Sequence, residues 1–165
     1  MTQKTFPLPA IDSTANAVLA AALQHNIDHK TKPLGALGEL ENLALQLGLI
    51  QRSDKLAFDA PQMVVFAADH GVAAEGVSAF PQAVTMQMVA NILAGGAAIN
   101  VLARQHGFAL HVVDAGVASD LADHPQLIKR KIAHGSHNLA TGPAMTAHQL
   151  NAALQAGAED RKSVV

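Results

Sequence analysis

Residues 64–80 read VVFAADHGVAAEGVSAF, and this stretch decides the fold that we predict. A continuous apolar run over residues 63–68 is typical of a strand that is buried on both faces of a parallel sheet. The run stops at Asp69, His70 and Gly71, and a loop of about fifteen mostly small residues follows it. We therefore expect the strand to deliver this loop to the rim of an α/β sheet.

The segments that follow complete a strand–helix–strand unit. Residues 85–106 carry apolar side chains at helical spacing, and Gly107 follows them as a stop signal. The sequence FALHVVDAG, residues 108–116, then predicts a second strand that ends at Asp114. Two strands joined by a crossover helix run parallel, so their carboxyl ends meet at the edge where open α/β sheets bind ligands. We expect Asp69 and Asp114 at that edge.

The last part of the chain predicts a further strand and a helix. Residues 128–133 read as a third short strand, and Gly135 and Gly142 allow sharp bends in the loop behind it. Thr146 and Gln149 form a capping-box pattern that starts a helix immediately after Thr146. Free N–H groups at such a helix start favour a phosphate or a carboxylate.

The first part of the chain predicts two helices in a hairpin. The first covers residues 12–28, with Asp12 or Ser13 as its N-terminal cap. The second runs over about residues 33–47, where leucines recur at helical spacing, and Gly48 is a natural stop after it.

These elements together predict an α/β protein with a parallel sheet and flanking helices. We divide it into an N-terminal helical segment, residues 1–52, and an α/β domain, residues 53–165. The polar sequence QRSDKLAFDAP connects the two.

Composition narrows the classes of partner. Of the 165 residues 50% are apolar but only 3% aromatic, so the core must consist of Ala, Leu, Val and Ile. A net charge of −2 gives no electrostatic reason to expect nucleic acid or an anionic membrane as partner. No uninterrupted apolar stretch reaches the roughly 18 residues of a membrane span, and no signal peptide is recognised. The absence of cysteine excludes disulfides and fits a cytoplasmic protein.

Two features of the sequence leave a structural and a chemical interpretation open. Asp69 and His70 could form an acid–base pair, hold a metal ion together with Asp114, or only shape the rim of the sheet. Gly95 and Gly96 interrupt a predicted helix, and we favour close packing of the backbone against the sheet or another subunit over contact with a ligand.

Four segments carry a resemblance to a known family. They are KPLGALGELENLALQLGLIQ (32–51), FAADHGVAAEGVSAFPQAVTMQMVANILAGGAAINVLARQHG (66–107), VVDAGVASD (112–120) and GSHNLATGPAMT (135–146). In order and spacing they resemble nicotinate-nucleotide–dimethylbenzimidazole phosphoribosyltransferase, from about residue 31 to about residue 157.

The resemblance implies a transfer reaction in the assembly of the cobalamin lower ligand. Phosphoribose moves from nicotinate mononucleotide to 5,6-dimethylbenzimidazole, and the products are α-ribazole 5′-phosphate and nicotinate. The resemblance also implies a Rossmann-like α/β domain with a small helical domain that includes the N-terminal hairpin, and a homodimer. We expect no cofactor and no bound metal ion.

The resemblance also suggests which residues bind the heterocycle. The loop over residues 78–87 matches the benzimidazole-binding loop of the family, and its candidate residues are Ser78, Phe80, Pro81 and Gln87. Asp69, His70 and Gly71 are expected to shape the floor of the pocket. An apolar wall with one or two polar anchors is what a flat bicyclic base requires.

The sequence departs from the family after the segment GPAMT. Family members are longer than this chain. The chain has no counterpart of their general-base glutamate or of much of their nicotinate mononucleotide pocket. We therefore assign no catalytic residue from the resemblance. We expect the chain to be an N-terminal portion of the family sequence with little or no activity alone, and AEDRKSVV after Gly157 to lie outside the family pattern. One alternative is a truncated, non-enzymatic module that binds benzimidazole or another subunit; another is a small metal-dependent hydrolase.

Overall fold

The computed structural model describes residues 10–164, and the side chains of residues 10–159. Within this range the elements follow one another as α1 (Ala17–Asp28), α2 (Glu39–Gln51), β1 (Gln62–Ala68), a 3₁₀ turn (Gly71–Glu75), α3 (Ala83–Leu93), α4 (Ala98–His106), β2 (Ala109–Gly116), β3 (Leu127–Lys129) and α5 (Ala147–Val164). The chain forms two compact units, of which one ends at Asp59 and the other begins at Ala60.

The sheet has the order β1-β2-β3, and both strand pairs are parallel. The α/β class with a parallel sheet is therefore confirmed. Ala67 lies opposite Asp114 and Ala68 opposite Gly116, with a register shift between the two pairs. The carboxyl ends of β1 and β2 therefore lie at one edge, as the sequence predicted.

The third strand is shorter than predicted. It pairs with β2 only over Leu127–Lys129, whereas we expected residues 128–133. Beyond it the backbone N–H groups of Arg130 and Ile132 still donate to carbonyls of β2, at 3.0 and 3.3 Å. These isolated bonds hold the segment beside the sheet without continuing the ladder.

The prediction of a single helix over residues 85–106 is wrong. The structure has α3 and α4 with a break between them, and Gly95 lies in the break with φ of +82°. A Cβ atom added at Gly96 would overlap the side chain of Asn91. The glycine pair therefore breaks the helix, instead of letting a continuous helix pack closely on the sheet.

Asn100 holds this break together from inside the protein. Its buried side chain accepts from the N–H of Ala97 at 3.1 Å and donates to the carbonyl of Ile92 at 2.9 Å. The segment Ala83–His106 is long and apolar enough to cross a membrane by length and composition, and 22% of its most apolar window is buried. The break divides this segment into two short helices, so its length and composition are only weak evidence for a membrane span.

The start of α1 differs from the prediction. Asn16 caps the helix, with its side-chain oxygen accepting from the N–H of Leu19 at 3.0 Å. We expected Asp12 or Ser13 in this role. The Ser13 hydroxyl instead accepts from the N–H of Ala15 at 3.2 Å, and this local turn delays the helix.

The second helix begins and ends later than predicted. Gly35 and Gly38, with φ of +71° and +55°, keep residues 34–38 in turns, so α2 begins at Glu39. Gly48, predicted as the stop, lies inside α2, which ends in the left-handed conformation of Arg52. A glycine is needed inside the helix because Leu23 of α1 occupies the space of a Cβ atom at this position.

The main core lies between the sheet and the helices α3 and α4. Helix α3 contacts both β1 and β2, and α4 contacts β2. The buried cluster consists of small and branched aliphatic side chains, namely Ala67, Val89, Ile92, Ala97, Ala103, Leu110, Val112 and Val117. This packing fixes where α3 starts relative to the end of β1, and it thereby positions the loop between them.

Candidate functional site

Asp69 is a structural junction at the rim. It is 4% exposed, its backbone N–H donates to the carbonyl of Gly116 at 3.0 Å, and its Oδ2 accepts from the N–H of Ala118 at 2.7 Å. Its carbonyl accepts from the N–H of Ser136 at 3.0 Å. Asp69 therefore joins the ends of β1 and β2 to two loops, as a buried carboxylate does when backbone amides satisfy it.

Asp114 also binds backbone groups. Its Oδ1 accepts from the N–H groups of Gly116 and Val117 at 3.1 and 2.9 Å, and its Oδ2 lies 3.5 Å from Nζ of Lys131. Among the described residues, no group of three His, Asp or Glu side chains is placed to hold a metal ion. The geometry gives the metal-dependent hydrolase no support.

His70 and Gly71 lead from β1 into the 3₁₀ turn. The carbonyl of His70 accepts from Nε2 of Gln82 at 3.0 Å, which ties the start of the rim loop to its end. The N–H of Gly71 donates to the Ser136 hydroxyl at 3.3 Å. A Cβ atom at Gly71 would lie 2.6 Å from backbone atoms of residues 136–138, so glycine is needed for this close approach.

An open cavity of about 540 Å³ lies between the end of β1, the rim loop and the first turns of α3. Most of its lining is apolar and comes from residues such as Val72, Val77, Phe80, Pro81 and Met88. Its polar lining residues are Asp69, His70, Ser78, Gln82 and Thr85. A largely apolar cleft with a few polar groups is the usual form of a small-molecule site.

The structure brings most of the predicted residues to this cavity. Asp69, His70, Ser78, Phe80 and Pro81 all line it. The Ser78 hydroxyl is engaged within the loop, where it donates to the carbonyl of Phe80 at 2.9 Å and accepts from its N–H at 3.2 Å. Ser78 therefore shapes the loop, and Phe80, which is 70% exposed, supplies apolar surface.

Gly71 and Gln87 do not line the cavity. Gln87 is exposed on α3 and lies two residues after Thr85, which is about 200° around the helix. Sequence reasoning missed Gln82, Thr85 and Met88. The helical spacing of Thr85 and Met88 could have predicted that they line the cavity together, because residues three apart lie on the same face of a helix.

A second cavity adjoins the start of α5, where we predicted a site for an anion. It measures about 30 Å³, which leaves room for no more than one or two water molecules. The predicted capping box is present: Gln149 N–H donates to the Thr146 hydroxyl at 3.2 Å, and Thr146 N–H to Oε1 of Gln149 at 2.8 Å. The helix start is capped by its own side chains, and the space beside it is too small for a phosphate.

A family model described as phosphoribosyltransferase (DBI_PRT) matches residues 13–164. The match continues past Gly157, so the expectation that the family pattern ends there is wrong. The nicotinate-nucleotide–dimethylbenzimidazole phosphoribosyltransferase of Variovorax paradoxus is 55% identical over 159 residues, which are 96% of this chain and 46% of the relative. The enzyme of the same name from Cupriavidus taiwanensis is 58% identical over 92% of this chain and 43% of its own length.

Solved structures agree with these relatives. The crystal structure of CobT from Thermus thermophilus superposes on this chain with a TM-score of 0.83 at 49% sequence identity. The aligned region is 89% of this chain and 44% of the CobT chain. A second structure from the same organism, of a nicotinate-nucleotide–dimethylbenzimidazole phosphoribosyltransferase, gives a TM-score of 0.85 at 48% identity. The chain thus spans less than half the length of the relatives that it matches.

Proposed function

The chain belongs to the DBI_PRT phosphoribosyltransferase family, and from this premise we propose that it serves the transfer of phosphoribose from nicotinate mononucleotide to 5,6-dimethylbenzimidazole. The products of that reaction are α-ribazole 5′-phosphate and nicotinate, and the reaction contributes to the cobalamin lower ligand. The observation that carries the proposal is the open cavity beside the rim loop, at the carboxyl end of β1.

The cavity suits the acceptor substrate better than the donor. A dimethylbenzimidazole is flat, mostly apolar and uncharged, and the lining of Val72, Phe80, Pro81 and Met88 offers apolar surface on more than one side. Within the described part of the chain, no lysine or arginine lines it to neutralise a phosphate. We therefore assign binding of the heterocycle to this part of the family sequence.

We assign no catalytic residue within the chain. Attack by the ring nitrogen on the anomeric carbon releases the proton of the ring N–H, and a general base has to remove it. Asp69 lines the cavity, but its carboxylate is buried and accepts from the Ala118 N–H at 2.7 Å, so it supports structure. The catalytic contribution proposed for this chain is therefore the positioning of the acceptor ring.

Calorimetric titration with 5,6-dimethylbenzimidazole tests the proposal directly. We expect saturable binding to the chain, and weaker binding in Phe80→Asp, because a carboxylate in the lining opposes an apolar ring. Leu139→Asp, at an exposed residue outside the lining, is the matched control and should bind normally. Absence of binding by the unmodified chain, or equal binding by both variants, contradicts the proposal.

A second candidate is a module that binds the ring or another subunit without catalysis. Its support is that the chain spans less than half the length of its relatives. An assay with both substrates, with product separation by chromatography, tests catalysis by the chain alone: formation of α-ribazole 5′-phosphate would exclude the non-catalytic module. The homodimer and the cytoplasmic location are further proposals, and light scattering of the purified chain tests the first.

A further inference from the structure

The strand β1 has a free edge. It pairs with β2 on one side, and no strand among the described residues lies on its other side. The carbonyl of Pro61 accepts from the N–H of Ala109, and the N–H of Asp69 donates to β2, so the backbone groups of the odd-numbered residues point toward β2. Successive residues of a strand alternate in this respect, and the N–H and C=O groups of Val64 and Phe66 therefore point away from the sheet.

The cavity beside the rim loop runs along this free edge. Four consecutive residues of β1, 65–68, line it, together with Met88, Val89 and Ile92 of α3. Alternate residues of a strand point to opposite faces, so consecutive residues share one cavity where the cavity follows the edge of the strand. The groove between β1 and α3 is thus open over about 13 Å of strand, at roughly 3.3 Å per residue.

The side chains that flank the free edge are apolar. Met63 and Val65 pack against the core cluster, so Val64 and Phe66 lie on the opposite face of the sheet, where Phe66 is 57% exposed. Parallel sheets are covered on both faces, and proteins protect exposed edges with charged residues or proline. The strand Gln62–Ala68 contains neither. This edge is therefore of the kind to which a further strand can add.

We propose that the free edge of β1 receives a strand from the C-terminal portion of the family sequence, and that this strand closes the open side of the cavity. The matched region is 46% of the Variovorax paradoxus relative and 44% of the CobT chain, so more than half of each relative lies outside it. A strand from that portion adds through main-chain hydrogen bonds to Val64 and Phe66.

The lining of the cavity favours this partner over a second copy of the same chain. Within the described residues, no lysine or arginine lines the cavity, so a phosphate donor needs groups from elsewhere. The C-terminal portion can bring such groups to the open side, whereas a second copy would bring only another rim loop. This step of the argument rests on the proposed function, but the pairing at the edge does not.

Co-expression tests the pairing. The tagged full chain is produced together with the portion of the Variovorax paradoxus relative that follows the matched region, and we expect the two to co-purify as a one-to-one complex. Val64→Pro removes one N–H from the free edge without breaking a bond to β2. It should weaken the complex about 5- to 100-fold in sedimentation velocity over a dilution series, because the acceptor on the added strand is left unpaired.

Val64→Thr is the matched control. It keeps the N–H group and the branched shape, and it should bind like the unmodified chain. Circular dichroism checks the fold of Val64→Pro. Hydrogen exchange measured by nuclear magnetic resonance tests the edge without any substitution: in the free chain the N–H groups of Val64 and Phe66 should exchange faster than those of Val65 and Ala67. In the complex they should slow about 10-fold or more, because the added strand protects them.

Three results overturn this inference. The first is failure of the C-terminal portion to co-purify, including its recovery only as insoluble protein. The second is equal binding by a folded Val64→Pro, or unchanged exchange at Val64 and Phe66 in the complex, since the contact then lies elsewhere. The third is a dimer of the chain that Val64→Pro abolishes, which assigns the edge to a second copy. If the complex forms but the chain does not bind 5,6-dimethylbenzimidazole, the proposed function fails and the pairing stands.

Discussion

At the scale of single residues, hydrogen bonds to the backbone and a bond between two side chains hold the rim in place. The carboxylate of Asp69 accepts from Ala118, the N–H of Gly71 reaches Ser136, and Asn138 donates to Glu75 at 2.6 Å. Together these bonds hold the 3₁₀ turn whose residues form one wall of the cavity. Substitutions at this wall are expected to act first on its position.

Gly71→Ala is expected to destabilise the chain by about 1–3 kcal/mol, because its Cβ would have to displace the backbone of residues 136–138. Urea unfolding followed by circular dichroism measures the change. Gly142→Ala is the matched control, since a Cβ there meets nothing within 4 Å. Equal stability of the two variants would show that the backbone of residues 136–138 moves aside for the new Cβ without loss of stability.

Glu41 provides a prediction about pH. A hydrogen bond from Lys32, whose Nζ is 2.8 Å from Oε1 of Glu41, and a second from the N–H of Leu37 lower the pKa of Glu41 below its ordinary value of 4.5. The stabilisation is therefore complete above the ordinary pKa and is lost as the pH falls through the lowered one. Glu41→Gln should lower the melting temperature at neutral pH and flatten its acid dependence.

Calorimetric melting between about pH 3 and pH 7 tests this, across the range in which carboxylates titrate. Glu39→Gln on the same helix turn is the control, because Glu39 makes no ion pair among the described residues and bonds only to the Asn42 amide. An acid dependence in Glu41→Gln as steep as that of the unmodified chain would contradict the assignment.

At the scale of elements, the contact between α1 and α2 explains the glycine inside a helix. Leu23 is the buried side chain of α1, and its methyl groups occupy the place that a Cβ at Gly48 would take, at 2.5 and 2.6 Å. The helices approach closely because Gly48 has no side chain. A glycine at this point costs helix propensity, and the packing of Leu23 offsets that loss.

A double-mutant cycle measures this contact. Leu23→Ala should destabilise by about 2–5 kcal/mol through the cavity that it leaves. Gly48→Ala should destabilise by about 1 kcal/mol, since overpacking exceeds the gain in helix propensity. Together they should cost less than their sum, because the new methyl group fills part of the cavity. Additive values from thermal unfolding would show that the two residues are not in contact.

At the scale of the whole molecule, the chain consists of two units, each with its own buried contacts. Leu23 and Gly48 belong to the helical unit, whereas Val112 lies in the core between the sheet and α3 and α4. Separate cores give separate local stabilities, which amide hydrogen exchange resolves. This division is our proposal for the domain organisation.

Hydrogen exchange with mass spectrometry tests the proposal. Leu23→Ala should speed exchange in α1 and α2 and leave β1 and β2 unchanged, and Val112→Ala should do the reverse. The two variants control each other, because each leaves the core of the other unit intact. Faster exchange throughout the chain in both would show one cooperative unit.

Local patterns were sufficient for much of the fold. The strand before Asp69, the second strand and the capping box at Thr146 were predicted because apolar run length and side-chain capping act between near neighbours in the sequence. Wrong boundaries occurred where a local signal had two meanings. Gly48 looked like a helix stop, and the pair Gly95–Gly96 looked like a packing site within one helix.

The sequence by itself determined the α/β class, the edge at which the rim loop lies, and the family. Only the tertiary structure decided which side chains of the rim loop and of the start of α3 face the cavity. The reason is the rotation of α3: Val89 and Ile92 pack into the core, and this packing turns Thr85 and Met88 toward the cavity and Gln87 away from it. That rotation depends on contacts with strands distant in the sequence, which no local pattern contains.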